Sequence, residues 1–345
     1  MNVPPPPPTL PSAEDLLAAR TRVFLEDAGW DGAATVTSIP ADFSSRRFAR
    51  LERPHGAGPR TAILMQAGPL DQTPAFVALA AILRGLGLSA PEVYAAWPDE
   101  GLVLMEDLGG ATFGGQLSAG APPEAIYRRA ARTLAHLHTR FEGTATTTLT
   151  LPRFDTAALV AKAEQFLDFY VPYVRGTPVR VEERDAFRAA WTEVLAPLEA
   201  ATPTLMLRDF MPDNLMDLPE RASPRDVGLI DFQDAGLGPA AYDLASLTEA
   251  VRRDHGAAYV DVVETTYREV RPGEDREALR TARTLLAAKR HTRVLGLLAR
   301  CANEPARRSK AAFLPRVEAH TRGLLRDPAL RPVAAWCQTA GVLRG

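Results

Sequence analysis

LMLRDFMPDNLMDL (residues 205–218) and, after a short polar interruption, VGLIDFQDAGLGPAAYDLASL (residues 227–247) decide how this chain is read. Thr204 to Leu207 and Val227 to Ile230 are short apolar runs of strand length, and each delivers an acid at its end, Asp209 and Asp231. A buried run ending in an unpaired acid is costly unless the acid finds a partner, and a bound cation is an obvious one. Asn214 lies five residues after Asp209. That spacing suits phosphoryl transfer from a nucleotide. One Asp accepts the proton of an attacking hydroxyl, the Asn binds magnesium, and an Asp beyond the next strand holds the metal across the phosphates. Singly, each of the three residues is an ordinary turn former or helix cap, and it is the apolar framing of all three that points to chemistry.

LRDFMPDN and LIDFQDAGLGPAAYDLASL resemble the catalytic and metal-binding motifs of the aminoglycoside phosphotransferase family. Further stretches are similar to one branch of it, the N-acetylmuramate/N-acetylglucosamine anomeric kinases of cell-wall recycling. These are DFSSRRFARL (42–51), ILMQAGP (63–69), FVALAAILRGLGLSAPEV (76–93), LVLMEDLG (102–109) and KRHTRVLGLLAR (289–300). The resemblance runs from about Asp42 to Leu325. It implies an α+β, protein-kinase-like two-lobed fold with a small antiparallel-sheet N-lobe and a larger, mostly helical C-lobe. It also implies ATP and Mg2+ as cofactors, and transfer to the anomeric hydroxyl of an amino sugar. Asp209 is then the catalytic residue, with Asn214 and Asp231 as the metal ligands.

Residues 1–11 are expected to be a proline-rich leader, 12–105 the N-lobe, 106–330 the C-lobe and 331–345 a C-terminal tail. The 345 residues suffice for two lobes, each with a core, on a prior of about one domain per 100–200 residues. A formal net charge of -2, from 40 basic and 42 acidic residues, gives no bias toward nucleic acid or a membrane surface. The expected partner is a small sugar. Cys301 and Cys337 form no CxxC or Cys/His cluster, and no apolar run reaches the roughly 18 residues of a membrane span, so a cytoplasmic, monomeric protein is expected.

Ala34–Ile39, Arg46–Arg53 and Thr61–Met65 read as the first N-lobe strands. The intervening ADFSSRR occupies the place of a glycine-rich phosphate loop but contains no glycine, so Ser44, Ser45, Arg46 and Arg47 are the candidate phosphate contacts. On the third strand Met65 stands where the family places a lysine. Either phosphoryl transfer has been lost and the chain is a silent nucleotide-binding regulator, or a loop arginine replaces the charge. The intact Asp209, Asn214 and Asp231 favour the arginine. Phe76, Leu79, Leu83 and Leu86 share one face of the next helix, which lacks the glutamate that usually pairs with that lysine.

Around Glu106 to Leu108 the backbone is expected to read the nucleotide base, with ATP versus GTP left open. Glu106 and Asp107 otherwise read as a solvated linker. Asp155–Tyr170 and Val181–Leu198 are predicted helices, with Val171–Arg180 as a loop between them. His136 and His138 lack ligand spacing and are read as packing residues on a helix from Pro123. Asp243 is expected to support the catalytic loop from the first turn of a helix.

Asp234 is open between a second metal contact, an acceptor contact and a turn cap. Arg290, Arg293 and Arg300 are expected to face solvent for the most part, with Arg293 a candidate for an acceptor carboxylate. An aminoglycoside-, choline- or homoserine-type kinase is the alternative enzyme.

Overall fold

The computed structural model describes residues 12–30, 35–39, 46–53, 58–68, 72–141, 150–251, 253 and 257–343. The chain divides into two units, residues 1–81 with 90–109, and residues 82–89 with 110–345, in place of a single boundary near Met105. The proline-rich leader lies outside the described residues.

The first unit opens with α1 (Ala13–Asp27), capped as its sequence predicts. The Ser12 hydroxyl accepts from the Asp15 N–H at 3.1 Å, and the Asp15 carboxylate accepts from the Ser12 N–H. Five antiparallel strands follow: β1 (Thr35–Ile39), β2 (Arg47–Glu52), β3 (Thr61–Gln66), β4 (Val93–Trp97) and β5 (Leu102–Glu106), in spatial order β1-β2-β3-β5-β4. Alternation along β2, β3 and β5 turns Leu51, Ala62, Leu64, Leu102 and Leu104 to one side. There they join Phe24 and Trp30 in a core. The helix α2 (Thr73–Gly85) buries Phe76, Leu79 and Leu83, as its spacing predicts.

The second unit is mostly helical: α3 (Phe113–Ser118), α4 (Pro123–Phe141), α5 (Thr156–Ala163), α6 (Val171–Arg175), α7 (Val181–Leu195), α8 (Ala241–Thr248), α9 (Ala257–Val270), α10 (Arg276–Ala302), α11 (Leu314–Leu324) and α12 (Arg331–Ala340). Two short antiparallel pairs sit among the helices. One joins β6 (Thr204–Met206) to β9 (Gly236–Gly238), and the other joins β7 (Leu215–Asp217) to β8 (Val227–Leu229).

Val171–Arg175 is helical, not the predicted loop. The π-helical turn Phe166–Tyr170 runs into it without a break, and that wider turn accommodates Pro172, which has no N–H to give; the helix stops at Gly176 with φ 71°. In α12, Trp336 and Cys337 are buried, and the Trp336 indole donates to the Glu183 carbonyl at 2.8 Å.

The centre of this unit is α10, which packs against α5, α8, α11 and a π-helical turn, Phe166–Tyr170. That turn comes so close that a Cβ on Gly296 would meet the Gln165 carbonyl group and come within 2.6 Å of the Phe166 nitrogen. Both neighbours are backbone and cannot swing aside. Gly296→Ala is therefore expected to cost about 1–3 kcal/mol, read as a lowered urea midpoint.

Enclosure on all sides also buries Arg290 and His291, which corrects the solvent-facing expectation for this helix; Arg293 is half-buried, and Arg300 is exposed as expected. Burial, with Arg290 alongside, holds the His291 imidazole down to about 3, against 6.5 ordinarily. The folded chain then keeps a neutral ring where the unfolded chain takes a proton. The native state's full stability is present above 6.5 and is lost as the pH falls toward 3, at up to ~1.4 kcal/mol per pH unit for one proton. His291→Leu is expected to flatten that acid limb in urea titrations at several pH values.

Candidate active site

Within the second unit, β6 is fully buried and runs into Leu207 and Arg208, where the chain turns through a left-handed residue, Arg208 at φ 71°. Such a turn frees main-chain N–H groups in a place water does not reach, and they need acceptors. Asp243, fully buried on α8, supplies both. Its carboxylate accepts from Leu207 N–H at 2.6 Å and Arg208 N–H at 2.7 Å. The support expected of Asp243 is thus exerted on main chain. Behind it, His138 Nε2 lies 3.9 Å from the carboxylate while Nδ1 meets the Tyr267 hydroxyl at 2.8 Å, so His138 is a packing residue as its sequence suggested.

From this turn the sequence-predicted residues come together. The Asp209 carbonyl accepts from Asn214 Nδ2 at 2.9 Å, and the same amide lies 3.3 Å from Asp231 Oδ2. Asn214 closes a tight helical turn, Pro212–Asn214, and its carbonyl accepts from Ile230 N–H at 3.2 Å, which ties the two motifs across the β7–β8 pair. Asp231 also adopts a left-handed conformation, φ 60°, one that Asp tolerates better than most side chains. Its Oδ1 accepts from Gln233 Nε2 at 2.8 Å. Asp231 is exposed, and Asp209 and Asn214 are half-buried. Asp231 and the neighbouring Asn214 carry side-chain oxygens of the kind a hard divalent cation such as magnesium takes.

Asp234 belongs to the same loop. Arg208 donates to its carbonyl at 3.1 Å and lies 3.7 Å from its carboxylate. Arg293 reaches the neighbourhood from α10. It is felt electrostatically at the buried Tyr242 hydroxyl, as are Arg290, Asp209 and Arg208.

Four contributors were not read from the sequence. Gln233 orients Asp231. Arg253 clamps Asp213, the residue before Asn214, at 2.6 Å while donating to the Gly114 carbonyl at 2.6 Å. Lys162 on α5 and Lys289 on α10 join Arg208 and Arg293 in one electrostatic neighbourhood. Gln233 is two residues from Asp231, but the other partners are distant in sequence and leave no local signal.

In the first unit, Ser44 and Ser45 lie outside the described residues. Arg46 is half-buried, while the Arg47 side chain is 68% exposed and rests 3.5 Å from Glu14. Met65 is buried in β3 opposite Phe48 of β2. Leu108 is buried, and the Glu106 carboxylate accepts from Glu92 N–H at 3.1 Å. Glu106 and Asp107 are not a solvated linker. Arg50 holds the Asp107 carboxylate through two contacts, 2.7 and 3.0 Å, and also donates to the Gly109 carbonyl.

A family model described as a phosphotransferase enzyme family matches residues 35–281. The N-acetylmuramate/N-acetylglucosamine kinase of Caulobacter vibrioides is 33% identical over 283 residues, which cover 79% of this chain and 75% of that protein. The protein of the same name from Pseudomonas aeruginosa is 27% identical over 316 residues, 89% of this chain and 88% of that one. Among solved structures, the GDP complex of aminoglycoside 2'-phosphotransferase-IIIa superposes with a TM-score of 0.60 at 17% identity, covering 88% of this chain and 98% of the other.

Proposed function

Because the chain belongs to the phosphotransferase enzyme family, we propose that it transfers the terminal phosphoryl group of ATP to the anomeric hydroxyl of N-acetylmuramate or N-acetylglucosamine. The observation that carries this reading is the hydrogen-bonded set of Asp209, Asn214 and Asp231, read beside relatives that bear those sugars in their names. The chain is a small-molecule kinase with a hydroxyl acceptor, as its family membership gives; the sugar and the cofactors are the finer part of the proposal.

On this reading Asp209 takes the proton of the acceptor hydroxyl and orients its oxygen toward the phosphorus. Asn214 and Asp231 hold magnesium, whose charge offsets that of the phosphates when it is bound. Gln233 fixes one oxygen of Asp231, and the Asn214 amide lies 3.3 Å from the other. Ser44, Ser45, Arg46 and Arg47 stand as the proposed phosphate contacts, Met65 as an apolar contact to the nucleotide, and Glu106 and Leu108 as the segment offering main-chain groups to the base. ATP places the reaction in the cytoplasm on this reading, and no described helix is long and apolar enough to cross a membrane.

The test is ATP consumption by the purified protein with magnesium across N-acetylmuramate, N-acetylglucosamine, an aminoglycoside and choline, with phosphorus NMR locating the product. An anomeric sugar phosphate is the expected result, and a phosphate elsewhere changes the acceptor but keeps the kinase. A buried Met65 in place of a phosphate-pairing lysine favours one other reading, a silent nucleotide-binding protein, which ATP binding without turnover of any acceptor would identify.

A further inference from the structure

Two helices, α5 and α10, and the loop at Arg208 bring positive side chains together with few acids to answer them. Lys289 and Arg293 are four residues apart on α10 and therefore share a face. The Lys289 ammonium is completely buried, has no hydrogen-bond partner, and lies 5.6 Å over the ring of Tyr242 on α8. Lys162 comes from α5, its ammonium 5.6 Å from the Phe154 ring, and the Arg208 guanidinium lies 5.2 Å from the same ring. Among the described residues, neither Lys162 nor Arg293 forms an ion pair, and Asp234, held by Arg208, is the acid that acts on Lys162. Burial and then the neighbouring cations, Arg293 first and Arg208 next, pull Lys289 well below its ordinary range, and burial with Arg208 and Arg293 lowers Lys162 against the opposing pull of Asp234.

Unanswered buried positive charge is expensive, and a cluster of it persists where an anion completes it. Tyr242 feels both these arginines and Asp209, so the cluster stands beside the proposed catalytic acid rather than on a remote face. A polycationic acceptor would be repelled here. Resting on the amino-sugar kinase reading above, we propose that Lys162, Lys289 and Arg293, with Arg208 at the edge, form a subsite for a carboxylate carried by the acceptor. The preferred substrate is then the acidic sugar N-acetylmuramate, through its lactyl carboxylate, over the neutral N-acetylglucosamine. Arg293 supplies the planar fork a carboxylate accepts in two places, Lys162 a mobile point charge, and Lys289 a fixed donor whose proton the arriving anion restores.

The test compares N-acetylmuramate, its neutral methyl ester and N-acetylglucosamine as acceptors for the parent protein and for Arg293→Gln, Arg293→Lys, Lys162→Gln and Lys289→Met, with thermal melting to establish folding. The parent is expected to favour the acid over both neutral sugars. Arg293→Gln and Lys162→Gln are each expected to cut the kcat/KM ratio of acid to ester by about tenfold or more through KM, with partial recovery in Arg293→Lys. A ratio unchanged by these substitutions overturns the subsite. An equal fall in kcat for all three sugars also overturns it and assigns the cations to the phosphoryl group instead.

If the parent phosphorylates no sugar, the amino-sugar reading has failed on its own. The subsite is then decided by calorimetry, in which acid and ester must differ in affinity for the parent and not for Arg293→Gln. Equal affinity for the parent overturns it.

Discussion

Asp209→Ala is expected to lower kcat at least about a hundredfold while the KM for ATP stays close to that of the parent, because positioning and proton acceptance by such a group are worth roughly 10²–10⁴ in rate. The geometry makes this a clean experiment. What Asp209 gives to the architecture comes from its main chain, whose carbonyl receives the Asn214 amide and the Met211 N–H. Truncating the carboxylate leaves those bonds in place. The loss should therefore fall on chemistry, with a melting temperature near that of the parent. Turnover within a few fold of the parent would remove Asp209 from its role.

Asp243→Ala should act in the opposite way, through structure first. Its carboxylate answers two buried N–H groups, those of Leu207 and Arg208, and alanine leaves both without an acceptor. Each orphaned donor costs about 1–3 kcal/mol, so a destabilisation of roughly 2–5 kcal/mol is expected in urea denaturation. Arg208 holds a left-handed φ that this carboxylate sustains. As the turn relaxes, Asp209 should shift and kcat fall on the order of a hundredfold, the usual cost of small misplacements. Asp243→Asn keeps one acceptor and should land between the two. If Asp243→Ala matched the parent in both readouts, the buried carboxylate would not be what shapes the loop.

Asp209 and Asp231 could be singled out because each comes at the end of an apolar run short enough to be a strand, and Asn214 because it lies five residues after Asp209. The strand pattern of the first unit was legible for the same reason, since Leu51, Ala62, Leu64, Leu102 and Leu104 alternate with residues on the other face. Pro172 misled because a π-helical turn, Phe166–Tyr170, precedes it and lets the helix continue past a residue that lacks an N–H. Arg290 and His291 misled because charge-rich helices usually have a wet side, and α10 is enclosed by neighbours from four directions. Pairings such as Arg253 with Asp213, or Lys162 with the face of α10 that bears Lys289, join residues 40 to 127 positions apart. They arise only once the helices have packed. Arg50, not Arg47, engages the segment after β5, because strand register and not proximity to the loop decides which arginine faces it.

The bond from Asp243 to the Leu207 and Arg208 amides carries one more implication. The shape of the catalytic loop is dictated from outside it, by a residue about 35 positions downstream. Residues 205–218 are thus not a portable cassette. Grafted onto another scaffold without an acid at the start of the following helix, they would lose the turn that defines them. Conversely, Leu207 contributes only its amide to that bond, so its buried apolar side chain serves the core and not the shape of the loop.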